Sequence, residues 1–291
     1  MNQLLANILY SVSIYLLISF SFSLIYYTVK FFHIAHAGVI TFSTYCVLIF
    51  TTQLSVNFSI SVVLAIIAAT LLGILCEVLV YRQMRKSNVP ALAYLIASLG
   101  LYIVLQNCIS LYFGDDTKII NTEEVTVGNQ IFGAYITTMQ ITTVVISFSL
   151  FIAVNLFLHF STTGKSIRAV ASNSELCNIY SISSNKIILI VFGIGSALAA
   201  TAGILSAVDT GMIPTFGFNF LLYGVVVMII GGVGSNRGLI SGSLLLATAQ
   251  HLSAFYIDTK WIDAITYIIL IIFLIWKPLG FSGKLLRKVE I

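Results

Sequence analysis

Charge is scarce in this sequence. Asp, Glu, Lys and Arg together make up 8% of its 291 residues, against about a quarter in soluble domains. A chain so poor in charge, 59% hydrophobic and with a mean hydropathy of +1.04, cannot cover itself with a solvated surface, and a water-soluble protein is excluded. Cysteine is scarce too. Cys46, Cys76, Cys108 and Cys177 have no metal-ligand spacing and three of them fall inside apolar runs, so they read as small packing residues. The opening MNQLLANILY lacks the basic segment of a cleavable signal peptide, so the first apolar run is expected to stay in the mature protein. No domain boundary and no appended soluble domain is expected within 1–291.

What the chain has instead is long charge-free runs: Leu4 to Val29, Phe31 to Cys76, Ser87 to Gly114, Val125 to Gly164, Ile187 to Val208, Thr210 to Asn236 and Gly238 to Ile257. Each can cross about 30 Å of hydrocarbon at about 1.5 Å per residue, and some can cross twice. The runs are apolar on all sides instead of alternating, which argues for helices and against a β-barrel. The fold expected is an all-α integral membrane protein, a polytopic bundle of about eight to nine transmembrane helices. Nine spans are placed near 4–29, 37–54, 58–81, 91–113, 139–159, 187–208, 218–232, 238–256 and 261–276.

The formal net charge of +4 reports topology here and not a nucleic-acid partner. With the N-terminus outside, the inner loops collect Lys30, Arg82, Arg85, Lys86, Lys165, Arg168, Lys186, Arg237, Lys277, Lys284, Arg287 and Lys288, leaving Lys118 and Lys260 outside. Asp115, Asp116, Glu123, Glu124, Asp209 and Asp258 fall on the outer side. The C-terminus is then cytoplasmic, and the polar insert at 161–186, STTGKSIRAVASNSELCNIYSISSNK, is the longest cytoplasmic loop.

Several short motifs suggest chemistry that their surroundings deny. Gly164-Lys165-Ser166 lacks the glycine five positions earlier that a phosphate-binding loop needs; His159 stands there, and a membrane span precedes it instead of a strand. Asp209-Thr210-Gly211 matches the aspartic protease triplet but has no partner motif, and reads as a helix end. His33 and His36 share a helical face, yet no Cys or carboxylate is near to complete a metal shell, so hydrogen bonding at a broken, membrane-buried helix start is expected. No metal site and no catalytic residue is expected.

The stretch from Gly231 to Gly242 is more informative. Gly234, Gly238 and Gly242 share one face and permit close helix packing, and with Gly231 and Gly232 they form a break that can line a pathway. Polar residues inside spans, Gln53, Gln106, Asn107, Asn155, Asn219 and Gln250, must find partners in the bundle or face a cavity.

Taken in order, Phe32-His33-Ile34-Ala35-His36-Ala37-Gly38, Arg168-Ala169-Val170-Ala171-Ser172-Asn173-Ser174-Glu175, Gly217-Phe218-Asn219-Phe220-Leu221-Leu222, Gly231-Gly232-Val233-Gly234-Ser235 and Lys277-Pro278-Leu279-Gly280-Phe281 resemble the LivH-type permeases of branched-chain amino acid ABC importers. The resemblance covers most of the chain and is strongest after residue 160. The chain departs from the family pattern at His33, Ala37, Ser174, Cys177, Ser181 and Arg237.

The resemblance implies a transport subunit of a bacterial inner membrane that pairs with a second homologous permease, sits on two cytosolic ATPase subunits and receives solute from an external binding protein. ATP and magnesium would belong to the ATPases, with no cofactor on this chain. The loop's chemistry agrees. A short helix from Asn173 to Ile182 offers Leu176, Ile179 and Tyr180 as apolar knobs for a groove, with Arg168 and Glu175 as rim charges, and these residues with Asn173 are the expected coupling set. His36, Asn219 and the glycines at 231, 232, 234, 238 and 242 are the pathway or helix-packing candidates.

A permease of the same type for urea or short amides fits the same motifs. A secondary transporter or channel is the rival of a different class, but one expects it to carry intramembrane ionisable groups, and Glu77 stands nearly alone. A membrane enzyme would need a convergent nucleophile, base or metal cluster, which the lone histidines and Asp209 do not make.

Overall fold

The structure is a computed structural model that describes residues 1–87, 89–120, 128–131 and 133–282. Its helices begin with α1 (Asn2–Val29), α2 (His36–Leu48), α3 (Phe58–Cys76), α4 (Arg82–Lys86) and α5 (Ala91–Phe113). They continue with α6 (Thr138–Phe160), α7 (Thr162–Ser172), α8 (Ser174–Ile179), α9 (Ser184–Thr210), α10 (Phe216–Gly231), α11 (Asn236–Tyr256) and α12 (Ile262–Trp276). A small antiparallel hairpin, β1 (Asn129–Ile131) with β2 (Ala134–Ile136), pairs Gln130 with Tyr135.

Every expected span coincides with a helix, but the count of crossings is lower than nine. Six helices are long and apolar enough to cross a membrane, or seven if the bent pair α10–α11 is one span. Two features account for the difference. α2 has 13 residues, about 20 Å at 1.5 Å per residue and short of the hydrocarbon thickness. α10 and α11 meet at a 119° bend across a break of four residues or fewer, which makes them a broken or re-entrant unit.

The core is built on α1 and α9, the two most buried spans, with α2, α3, α6, α10 and α11 packed on them. Both central helices are rich in small side chains on their packed faces: Ser13, Ser19, Ser21 and Ser23 on α1, and Gly195, Ser196, Ala199, Ala200, Gly203 and Ala207 on α9. Small residues let backbones approach, which is the main source of packing energy where lipid removes the hydrophobic drive. The serine hydroxyls return to carbonyls of their own helix, as in Ser19 to Leu16 and Ser21 to Ile18, and so cost little in an apolar setting.

Two helices are interrupted by π turns. One closes α2 at Ile49–Gln53; the other joins α3 to α4 at Glu77–Tyr81, where Glu77 is fully buried and paired with Arg85. The ends of the bundle differ in charge. Tyr27, Leu158, Gly164, Arg168, Gly234 and Asn236 border one cavity, Phe31 packs on Tyr81 and Tyr94, and Phe281 binds Ile230. These contacts gather Lys30, Arg82, Arg85, Lys86, Lys165, Arg168, Lys186, Arg237 and Lys277 at a basic end. The opposite end holds the Gln3–Tyr135 hydrogen bonds and the Lys118–Met212 bridge. Glu123, Glu124, Lys284, Arg287 and Lys288 lie outside the described residues.

Candidate functional site

At the basic end the polar insert folds into two short helices. Ser161 caps α7 by accepting from Gly164 N–H at 2.9 Å, so the Gly-Lys-Ser letters lie in the first turns of an ordinary helix and form no phosphate cradle. A Cβ at Gly164 would sit 2.0 Å from the Leu158 carbonyl oxygen, which is why glycine stands where α7 folds back on the end of α6. Arg168 donates to that same carbonyl. Ile167, Val170 and Ala171 are buried beneath α7.

Asn173 ends α7 and begins α8, its side-chain oxygen accepting from Glu175 and Leu176 N–H at 3.0 Å each. Ser184 closes the unit: its hydroxyl donates to the Ser174 carbonyl at 2.8 Å and its N–H to the Asn178 side chain at 3.1 Å. Cys177 is the buried anchor of α8, and the apolar side chains face outward. Leu176, Ile179 and Tyr180 are 52%, 76% and 77% exposed, and Glu175 is exposed beside them. The small helix is thus held from within while its apolar knobs are left uncovered.

The glycine-rich turn lies at the same end. Gly231 and Gly238 press backbone to backbone, since a Cβ at Gly238 would be 1.9 Å from the Gly231 oxygen, and Gly242 faces the Val227 carbonyl. Gly232 and Gly234 have φ of 92° and 75°, a left-handed backbone that the turn between α10 and α11 requires. The Lys277-Pro278-Leu279-Gly280-Phe281 segment folds over this turn, with Phe281 N–H donating to the Ile230 carbonyl at 2.8 Å. A cavity of about 190 Å³ separates the turn from α7 and is bordered by Asn155, Arg168, Gly234 and Asn236.

Deeper in the bundle, His33 and His36 are fully buried where the chain breaks between α1 and α2. His33 Nδ1 meets the Tyr81 hydroxyl at 3.0 Å and His36 Nε2 meets Ser21 at 3.1 Å. The break is further held by Ala35 N–H donating to Ser98 at 3.0 Å. The start of α10 docks beside it: Gly217 N–H donates to Thr41 at 3.0 Å, and a Cβ there would lie 2.2 Å from the Ala37 oxygen. Two separated motifs, around His36 and around Gly217, therefore meet in space, with Asn219 exposed two residues after Gly217.

The other intramembrane polar residues divide. Gln250 accepts from Tyr15 at 2.6 Å and donates to Thr266 at 2.7 Å, tying α1, α11 and α12 together. Asn155 accepts from Asn236. Asn107 turns back on the Ile103 carbonyl, while Gln53 is exposed. Asp209 ends α9 ahead of Gly211, with φ of 74°, as a helix terminus.

The residues that sequence reasoning passed over are mostly partners: Tyr15, Ser21, Tyr81 and Thr266. Asp263 is a further carboxylate, in the first turn of α12 at the start of the last apolar run, and it accepts from the Tyr223 hydroxyl at 2.5 Å. A carboxylate inside a run of apolar letters was the available signal. Among the described residues no group of three or more His, Cys, Asp or Glu lies close enough to hold a metal ion.

An apolar helical bundle with six helices able to cross a membrane and a broken helix pair defines a polytopic helical membrane protein. The chain belongs to the family described as branched-chain amino acid transport system, permease component, which its residues 4–274 match. It is 30% identical over 285 residues to the high-affinity branched-chain amino acid transport system permease protein LivH of Salmonella typhimurium and to that of Escherichia coli, covering 94% of this chain and 92% of each relative. It is 32% identical over 297 residues to the permease protein BraD of Pseudomonas aeruginosa, covering 97% of this chain and 95% of that one. The chain is accordingly a multi-pass membrane transport permease component.

Proposed function

We propose that this chain is the transmembrane subunit of an ATP-binding-cassette importer for branched-chain amino acids. It pairs with a second related permease, docks on two cytosolic ATPase subunits that carry the ATP and magnesium, and receives solute from an external binding protein. The basic end faces the cytoplasm and the N-terminus lies outside, in keeping with the excess of Lys and Arg at that end. The C-terminus is cytoplasmic. The names of the related permeases support the solute class.

The observation that carries this reading is α8: Leu176, Ile179 and Tyr180 are uncovered at the basic end, on a helix whose own capping and closing bonds hold it in place. A firm apolar ridge on a polar loop suits insertion into a groove of a soluble protein, with Glu175 at the rim. Closure of the ATPases on nucleotide then moves α7 and α8 as a body, and with them the helices that enclose the solute, giving alternating access at the interface of the two permeases.

The test is to replace Leu176 and Tyr180 by glutamate. Insertion of the chain into the membrane is expected to continue and ATP-dependent leucine uptake to be lost; undiminished uptake would remove α8 from the docking site.

A further inference from the structure

Docking at α8 leaves the question of how its movement reaches the α10–α11 turn, and one contact supplies a connection. α6 and α11 each pack mainly on α1. Yet at the basic end Asn236 Nδ2 donates to Asn155 Oδ1 at 2.5 Å, the only hydrogen bond between residues 138–172 and residues 231–242 among the described residues. The bridge borders the cavity of about 190 Å³ that separates the two elements.

On each side the bridge is fastened to something stiff. Asn155 lies one turn before Leu158, whose carbonyl receives Arg168 and faces Gly164, so α6 and α7 are joined at that point. α7 continues into α8 through the shared cap Asn173. On the other side Asn236 opens α11, Ser235 caps that helix by accepting from Gly238 N–H at 3.1 Å, and Gly238 is locked against Gly231 of α10. A hydrogen bond tolerates only a few tenths of an ångström of displacement, whereas apolar contacts slide. A single such bond across an open cavity therefore reports, and resists, relative movement of the two units.

We propose that the Asn155–Asn236 bridge is a positioning contact that registers the α7–α8 docking unit against the α10–α11 turn, so that ATPase closure is converted into solute movement. This inference rests on the importer reading. The bridge touches neither solute nor nucleotide; it acts through the elements it joins.

The test uses the assembled transporter in proteoliposomes, with labelled leucine uptake and ATP hydrolysis measured in the same vesicles for Asn155→Ala, Asn236→Ala and Asn155→Asp. Both alanine variants are expected to move about fivefold less leucine per ATP hydrolysed, the effect of one lost hydrogen bond. Asn155→Asp keeps the accepting oxygen and is expected to recover most of that ratio. An unchanged ratio in both alanine variants overturns the proposal. So does a loss of uptake and hydrolysis together in all three variants, which would mark the pair as a folding requirement. Uptake by the unsubstituted transporter that does not depend on ATP would instead overturn the importer reading, and this proposal with it.

Discussion

Replacing Ile179 by alanine removes an apolar side chain that is 76% exposed in the free chain and makes no hydrogen bond. If α8 enters a groove on an ATPase subunit, that exposed area is buried on docking. Full burial of an isoleucine is worth about 1.5–3 kcal/mol; three-quarters of that, less the part alanine retains, leaves about 1–1.5 kcal/mol. Since about 1.4 kcal/mol is a factor of ten, Ile179→Ala is expected to weaken ATPase docking about five- to tenfold. Leu176, at 52% exposed, yields a smaller effect on the same scale. Folding is not at stake, because the bonds that hold α8 come from Asn173, Ser184 and the backbone and survive the substitution, and exposed substitutions that leave such bonds intact change stability by about 0.5 kcal/mol or less. The assay is the affinity of the ATPase subunits for membranes containing the substituted chain, with the thermal midpoint of the chain in detergent as the control. Docking unchanged in Ile179→Ala, with the thermal midpoint also unchanged, would refute the account of α8.

Gly238→Ala places a methyl group 1.9 Å from the Gly231 oxygen and is expected to destabilise the α10–α11 turn by about 1–3 kcal/mol or more, read as a lowered thermal midpoint and lost export of folded chain to the membrane. Glu77→Gln leaves Arg85 without its charged partner in a region where Glu77 is fully buried; Arg85 keeps 25% of its side-chain surface exposed, so the cost is expected to be about 2–4 kcal/mol. The double variant Glu77→Gln, Arg85→Met is expected to recover much of that midpoint, and a double variant no better than Glu77→Gln alone would contradict the pairing.

The helices were legible because apolar runs declare themselves: Ala91–Phe113 and Thr138–Phe160 stand within a residue of the expected spans 91–113 and 139–159. Depth was not legible in the same letters. The runs at His36–Leu48 and Phe216–Gly231 look like spans, yet α2 is short and α10 turns through 119° into α11. What sets the bend is a backbone conformation at Gly232 and Gly234, which hydropathy does not encode. The short helix α8 was visible from its polar insert, but not the bonds that hold it: Asn173 binds forward, and Ser184 binds back across ten residues.

Partners distant in sequence were the least accessible. Gln250 could be identified as a polar group in need of a partner, but that the partners are Tyr15 and Thr266 depends on how three helices pack. Asp263 escaped because it stands just inside a run, close to Trp261, where a carboxylate resembles an ordinary interfacial residue until Tyr223 is seen beside it.

The most direct test of the account is leucine uptake by cells that carry the complete transporter, compared with cells lacking only this chain, each before and after ATP depletion. The account predicts uptake that disappears when this chain is removed, returns when it is restored, and stops when ATP is exhausted. Uptake that survives removal of the chain, or that continues at the same rate without ATP, would contradict it.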